Sequence, residues 1–426
     1  MKAPSLALSP RAANRVRFAA ILGVLGPGLV SGFADNDAGG IATYSVVGVK
    51  FGYQLLWVLL ATQIALFFTQ EVGARLGLAT GQGLTGLVRE RFGVRWVFFV
   101  TVTMLIANMG SIVAEFAGTA AALSLFGVPP AVSALVSASA VVLLLARGSF
   151  ARVQYLFVAV GIGVSIAYFA SALLARPDWG HAAASFVPHG SLSGAYWLAV
   201  VATVGTTITP WGQAFIQSYC ADKRLGPEDL MGERLDVGLG SLLANLIGGF
   251  VIVACAATLY SQSGTINTGD ANAVSEIARA LSPLAGEGAT MLFAIGLLAA
   301  SFLGLGVVPL TSAYAACEAF GWETGVDWRW HDAPAFYGLL VFFIAVAAFF
   351  VLIPGLPLVE VMVLAQVVNA MLLPFVLVFV MILASDRTLM GPLVSGRLLR
   401  SIGWAVTGLL ALLSPVLAVT TIFGGA

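Results

Sequence analysis

Apolar runs long enough to cross a bilayer, about 20 residues each, recur along the chain. Their centres lie near residues 30, 62, 108, 138, 164, 208, 248, 300, 344, 372 and 411. All eleven are expected to be α-helices, because hydrocarbon offers no water to satisfy open backbone. The connections are short apart from polar stretches at 177–193, 222–236, 261–288 and 318–332, and none is long enough to separate a second domain. Segment 72–95 turns basic and amphipathic at its end, the pattern of a short helix lying on the inner membrane surface.

Two of the spans are interrupted. The first reads "GPGLVSGFADNDAGGIATYS" and the sixth "VATVGTTITPWGQAFIQSY". Glycine lowers helix propensity, and Pro210 cannot donate to the carbonyl four residues earlier, so both helices are predicted to open near their middles. The two interruptions are five spans apart. Broken helices at matching positions of two five-helix halves point to an inverted-repeat transporter with its site at the bilayer midplane. The expected boundaries are a tail at 1–17, a first repeat at 18–176, a second at 194–385 and an additional eleventh helix at 397–424.

Composition sharpens this picture. With 59% hydrophobic and 9% charged residues, the chain is an all-α polytopic membrane protein and not a soluble globule. Its formal net charge of +0 gives no basic face for nucleic acid. Of 20 Lys and Arg, all but Lys50, Arg176 and Arg279 fall on the side of the N-terminus. The positive-inside rule then predicts a multi-pass protein of the inner (plasma) membrane, N-terminus cytoplasmic and C-terminus outside. The first apolar segment runs past span length without a small-residue cleavage site before it, and is read as a span. Cys220, Cys255 and Cys317 have neither metal spacing nor an even disulfide count and are expected to be small packing residues. Nothing signals an enzyme, a cofactor or an obligate protein partner.

The candidate chemistry sits in the breaks. An aspartate near a span centre costs about 2.5–3.5 kcal/mol on insertion scales, against about 0.3–0.6 regained per Leu or Ile. Asp35 and Asp37 together would cancel most of the first span. Such a pair is tolerated where it faces a protein-lined cavity and meets a cation, with opened carbonyls near Ala38 and Gly39 as further oxygen ligands. The alternative is that the aspartates sit hydrated at a mouth or cap the second half-helix. In the sixth span, Thr206, Thr207 and Thr209 offer hydroxyls, although threonines in membrane helices also bond back to their own backbone. Asn108, Ser111 and Glu115 share one face of the third span. Glu115 is either a proton acceptor or a protonated packing group. Gln366 and Asn369 share a face of the tenth span; Gln366 either supplies an amide oxygen to a cation or, like other amides in spans, makes interhelical hydrogen bonds. His181, His189 and His331 are all expected in loops.

The chain resembles the natural resistance-associated macrophage protein (Nramp) family of metal-ion transporters. The likeness rests on "GPGLVSGFADNDAGGIATYSVVGVKFGYQLLWVLL", "ARLGLATGQGL", "GTTITP", "VLAQVVNAMLLPFVL" and "SDRTLMG". It implies a LeuT-like fold of two inverted five-helix repeats, helices 1 and 6 broken, with a divalent metal ion as cargo between them. Against the family's DPGN this chain has "DAGG": Asp37 matches the metal-binding aspartate, and Gly40 stands where the ligand asparagine would be. Against MPH it has "TPW", so Thr209 replaces the thioether ligand and Trp211 the histidine, while Thr206 matches the residue giving a backbone carbonyl. Ile112 occupies the place of a proton-accepting aspartate, the ninth span lacks the family's arginines, and Gln366 matches a glutamine that joins the site.

Losing a soft sulfur ligand for a hydroxyl leaves an all-oxygen site suited to a hard ion such as Mg or Mn. Gly and Thr in place of Asn and Met leave room for a partly hydrated ion. The pattern is most like the Nramp-related magnesium transporters, a branch thought to work without proton coupling. The implied site is Asp37, Thr206, Thr209 and Gln366, with Asp35 attracting cations in the vestibule and Glu115, Trp211, Gly40 and Asn369 around it. The alternatives are a proton-coupled Mn or Fe importer, a non-transporting sensor and an organic-substrate carrier on the same fold.

Overall fold

The computed structural model describes residues 26–147, 150–188, 193–262 and 287–423; expectations for the 1–17 tail, His189, Arg279 and most of 261–288 lie outside them. The first interrupted span is two helices, α1 (Pro27–Ala34) and α2 (Ala38–Phe51). They are followed by α3 (Leu56–Thr80), α4 (Leu84–Phe92), α5 (Val94–Ser124), α6 (Pro130–Arg147), α7 (Phe150–Leu174) and the short α8 (Trp179–Ala184). The sixth span is again two helices, α9 (Gly194–Thr207) and α10 (Pro210–Asp222). Then come α11 (Leu230–Leu259), α12 (Glu287–Phe320), α13 (Pro334–Val351), α14 (Leu358–Ser385), α15 (Arg387–Met390) and α16 (Arg397–Phe423). The described residues contain no strand. Seven helices are each long and apolar enough to cross a membrane, and Pro130–Leu145 forms a shorter apolar one. With the two broken pairs and α16, helices occupy all eleven places marked by hydrophobicity.

The breaks lie where expected, but glycine does not make them. Gly32, Gly39 and Gly40 are all helical, and the chain leaves the helix only at Asp35–Asp37, where Asp37 is extended at φ −69° and ψ 176°. In the sixth span the extended residues are Ile208 and Thr209, and Pro210 opens α10 as its first residue. Proline is pre-set for that position, where its missing N–H would have no partner anyway. The glycines serve contact instead. A Cβ on Gly32 would overlap the backbone of Gly240 on α11, and one on Gly205 of α9 would overlap the Gln366 carbonyl oxygen on α14.

These close approaches set the architecture. α1 and α2 pack along α11, α10 along α3, α9 along α14, and α5 between α12 and α14. The core is one large apolar cluster that includes Val30, Ile41, Phe116, Trp211 and Leu303. The stretch 222–236, read as a charged loop, is corrected: α11 begins at Leu230, so Glu233 and Asp236 are buried on a helix. Segment 72–95 does contain an amphipathic helix, α4, which buries Leu84, Leu87 and Val88 and carries Arg89 and Arg91 in its last turn. All three cysteines are free and buried, as packing residues should be.

Gly205→Ala should destabilise the protein by about 1–3 kcal/mol through overpacking, seen as a lower thermal-unfolding midpoint in detergent. Gly163→Ala, with open space at the added carbon, should leave the midpoint unchanged or raise it.

Candidate cation site between the broken helices

Each break is a helix start stabilised by its own capping side chain. Asp37 caps α2, its Oδ1 accepting the Gly40 N–H at 2.5 Å. Thr209 caps α10, its Oγ1 accepting the Gly212 N–H at 3.1 Å. Asp35 follows α1 directly, and its Oδ2 accepts from Gln70 Nε2 at 3.2 Å; the same nitrogen donates to Ser31 Oγ at 2.8 Å. Asp35, Asp37, Thr206 and Thr209 are all at most 1% exposed.

Two groups of oxygens gather where side chains are missing. The point a Cβ on Gly40 would occupy lies 2.8 Å from Thr206 Oγ1 and 3.2 Å from both Asp37 Oδ1 and the Asp35 carbonyl oxygen. The corresponding point on Gly212 lies 2.8 Å from Thr209 Oγ1, 3.4 Å from Asp35 Oδ1 and 3.8 Å from Ser31 Oγ. Asp35 Oδ1 and Thr206 Oγ1 are buried with no hydrogen-bond partner. The Thr206 carbonyl would pair with residue 210, but proline has no N–H to offer. Among the described residues no three His, Cys, Asp or Glu cluster as a metal site. The oxygens available are two carboxylates, two hydroxyls and main-chain carbonyls, a hard donor set without sulfur or imidazole.

A second layer surrounds them. Glu115 is fully buried on α5, and its Oε2 accepts the Ala38 N–H, next to Asp37, at 3.1 Å. Gln366 Nε2 lies 3.3 Å from Asp37 Oδ1, and its Oε1 accepts from Asn369 Nδ2 at 2.9 Å. Asn369 Nδ2 also donates to Ser111 Oγ at 2.9 Å, and Asn108 Nδ2 to Ser312 Oγ at 3.0 Å. Trp211 is fully buried beside the break, its indole N–H without a partner.

Several expectations change here. Asp37 does cap the second half-helix, and the same Oδ1 is among the oxygens gathered with Thr206 Oγ1 at the Gly40 point, so capping does not remove it from the candidate site. The carbonyls of Ala38 and Gly39 belong to the first turn of α2, and the carbonyl at the site is that of Asp35. Asp35 is not in an open vestibule but buried against α10. Gln366 presents its amide nitrogen, not its oxygen, to Asp37, because a carboxylate takes up the nearest donor. Thr207 bonds back to the Thr203 carbonyl at 2.8 Å and meets Tyr44 at 3.0 Å, which removes it from the site. His181 lies on α8 and not in a loop; His331 is in a loop, and both are exposed. Sequence reasoning missed Gln70, although a glutamine beside Glu71 inside an apolar run was a signal of the same kind as Asp35.

Among the described residues the site has no basic counter-ion. The ion pairs among the described residues are Glu71–Arg75, Glu71–Arg234, Arg91–Asp386 and His331–Asp332, and none involves Asp35, Asp37 or Glu115. Buried charges are ordinarily paired, neutralised by protons or bound to metal.

The Nramp family, described as natural resistance-associated macrophage protein-like, matches residues 28–420. The divalent metal cation transporter MntH of Deinococcus radiodurans is 30% identical over 400 residues, 91% of this chain and 87% of that protein. MntH of Klebsiella pneumoniae is 27% identical over 98% of this chain and 97% of its own length. The fold is similar to that of the Eremococcus coleocola manganese transporter, with TM-score 0.79 at 20% identity, covering 96% of this chain and 89% of that one. MhsT in complex with L-phenylalanine is a more distant likeness, with TM-score 0.60 at 15% identity over 94% of this chain and 98% of that chain.

Gly40→Ala would place a carbon among the Thr206, Asp37 and Asp35 oxygens. It should weaken divalent-cation binding at least about tenfold, or about 1.4 kcal/mol, measured by calorimetry with Mn2+. Helicity by circular dichroism should stay unchanged.

Proposed function

The chain belongs to the Nramp family, and on that premise we propose that it carries a divalent metal cation across the membrane, with Asp37 as principal ligand. The observation that carries the reading is the group of buried carboxylates between two half-helices without a basic partner. Thr206 Oγ1 and the Asp35 carbonyl oxygen complete one face of the site. Thr209 Oγ1 and Asp35 Oδ1 form the other, and Gln70 fixes the Asp35 carboxylate. Gln366 and Asn369 hold Asp37 from α14, and Gln366 becomes an oxygen ligand by turning its amide over. Trp211 walls the site where the family has histidine.

The donor set favours a hard ion, Mg2+ or Mn2+, over softer ones. Transport is by alternating access and is driven by the membrane potential. That potential supplies about 2.3 kcal/mol per charge per 100 mV, so a divalent ion gains about twice as much without a proton. The chain sits in the inner membrane with its N-terminus inside and C-terminus outside, built as repeats 18–176 and 194–385 plus the helix at 397–424. The metal is substrate and not cofactor, and the protein is not an enzyme.

A second reading has one observation in its favour. Glu115, fully buried, accepts the N–H of Ala38 next to Asp37, so a proton carried on its carboxyl would be displaced by an arriving cation. On that reading the protein is a proton-coupled Mn2+ or Fe2+ importer.

Uptake into proteoliposomes with Mg2+, Mn2+ and Ca2+ in competition, with internal pH recorded, separates the two readings. Potential-driven Mg2+ and Mn2+ entry without acidification is expected, and Asp37→Ala should fall to the rate of empty liposomes. Acidification that tracks entry selects the coupled mechanism, and wild-type uptake by Asp37→Ala removes the site. Thr209→Met should shift competition toward Mn2+ over Mg2+ by about tenfold, the direction a thioether imposes.

A further inference from the structure

The half-helix α1 is joined to the site at one end and to α11 at the other. At its C-terminal end Asp35 brings carboxylate and carbonyl oxygens to the two gathering points. Its N-terminus has no side-chain cap of its own. The cap comes instead from a residue more than 200 positions away. Asp236 Oδ2 accepts the Gly26 N–H at 2.9 Å and the Gly28 N–H at 2.6 Å, and Oδ1 accepts the Leu29 N–H at 3.3 Å. Asp236 is fully buried and takes no part in the ion pairs of the described residues. Along the same seam the helices touch backbone to backbone. A Cβ on Gly28 would lie 2.5 Å from the Val237 nitrogen, and one on Gly240 would overlap the Gly28 carbonyl oxygen.

We propose that the Asp236 carboxylate and the Gly28–Gly240 seam form a latch that holds α1 against α11, and that its release opens one side of the cation site. The chemistry fits an opening device better than a permanent weld. Gly28, Gly32 and Gly240 let the two backbones approach closely, and one carboxylate, with the Lys223 charge nearby, is placed on three peptide N–H groups at the positive end of a helix. When α1 leaves, those N–H groups can be satisfied by water, and the carboxylate likewise. α1 is only 8 residues long, so displacement at Gly26 and Gly28 moves Asp35 as a unit with it. Asp236 is therefore a positioning residue that acts on the cation through α1.

The proposal rests on the reading of the breaks as a transport site, but its test needs no metal, so the two can fail separately. A single cysteine is introduced by Val30→Cys, a buried α1 position, in a protein whose Cys220, Cys255 and Cys317 are replaced by serine. Its labelling rate by a water-soluble maleimide is measured in detergent. Asp236→Asn, which keeps the shape and loses the charge, should accelerate labelling about tenfold, equivalent to about 1.4 kcal/mol, and Asp236→Glu should restore most of the protection. Gly240→Ala, which wedges the seam without touching the carboxylate, should accelerate it too and keeps the test open if Asp236→Asn does not fold. A control cysteine at Val251→Cys, buried farther along α11, should keep its rate. Labelling within twofold of the parent in both folded variants overturns the latch, as does equal acceleration at Val251→Cys, which would mean general loosening.

Discussion

Negative charge buried in a membrane protein without a basic neighbour constrains everything around it. Asp35 and Asp37 lie at most 1% exposed on either side of Asn36, with Glu115 buried on the neighbouring Ala38 N–H, and among the described residues no lysine or arginine pairs with them. Left bare, such groups are among the most expensive a bilayer protein can hold. Backbone N–H groups, Gln70 and Gln366 supply partial compensation, and Asp35 Oδ1 and Thr206 Oγ1 are left without a partner where the proposed cation would bind.

The same residues create the break and the site. Asp37 and Thr209 each start a half-helix by accepting a backbone N–H three residues on, and each keeps its oxygen beside a glycine. Were those oxygens on uninterrupted helices, their backbone carbonyls would be consumed by hydrogen bonds and no main-chain ligand would remain. The caps therefore couple local chain geometry to the proposed ion site. Anything that moves α1 or α10 as a body rearranges half the donor set, which is the property alternating access requires.

Hydrophobic periodicity made the span positions legible because each span is a long apolar run, and the helices stand where those runs lie. The breaks were legible too, since two aspartates and a Thr-Pro pair have no place in an ordinary span. Their cause was less so. Glycines in "GFADNDAGG" read as helix breakers, whereas they are helical and mark close contacts with Thr206, Gln366 and Gly240, partners 166 to 327 residues distant that no local pattern reveals. The same holds for Gln70 on Asp35 and Asp236 on α1. A long-range hydrogen bond leaves only a stray polar residue in the sequence. The roles of Thr207 and Thr209 could not be separated from "TTITP", because one turn of helix decides which hydroxyl bonds back and which faces the gap.

The claim beneath the rest is that a divalent cation occupies the space between Asp37, Thr206 and Asp35. Anomalous diffraction from crystals grown with Mn2+ tests it directly. A single strong peak between the two half-helices, at about 2.0–2.6 Å from an Asp37 carboxylate oxygen, is the result expected. A peak elsewhere with the gap between α2 and α9 left empty, or an Asp37 carboxylate turned away and paired with a basic side chain, would contradict it.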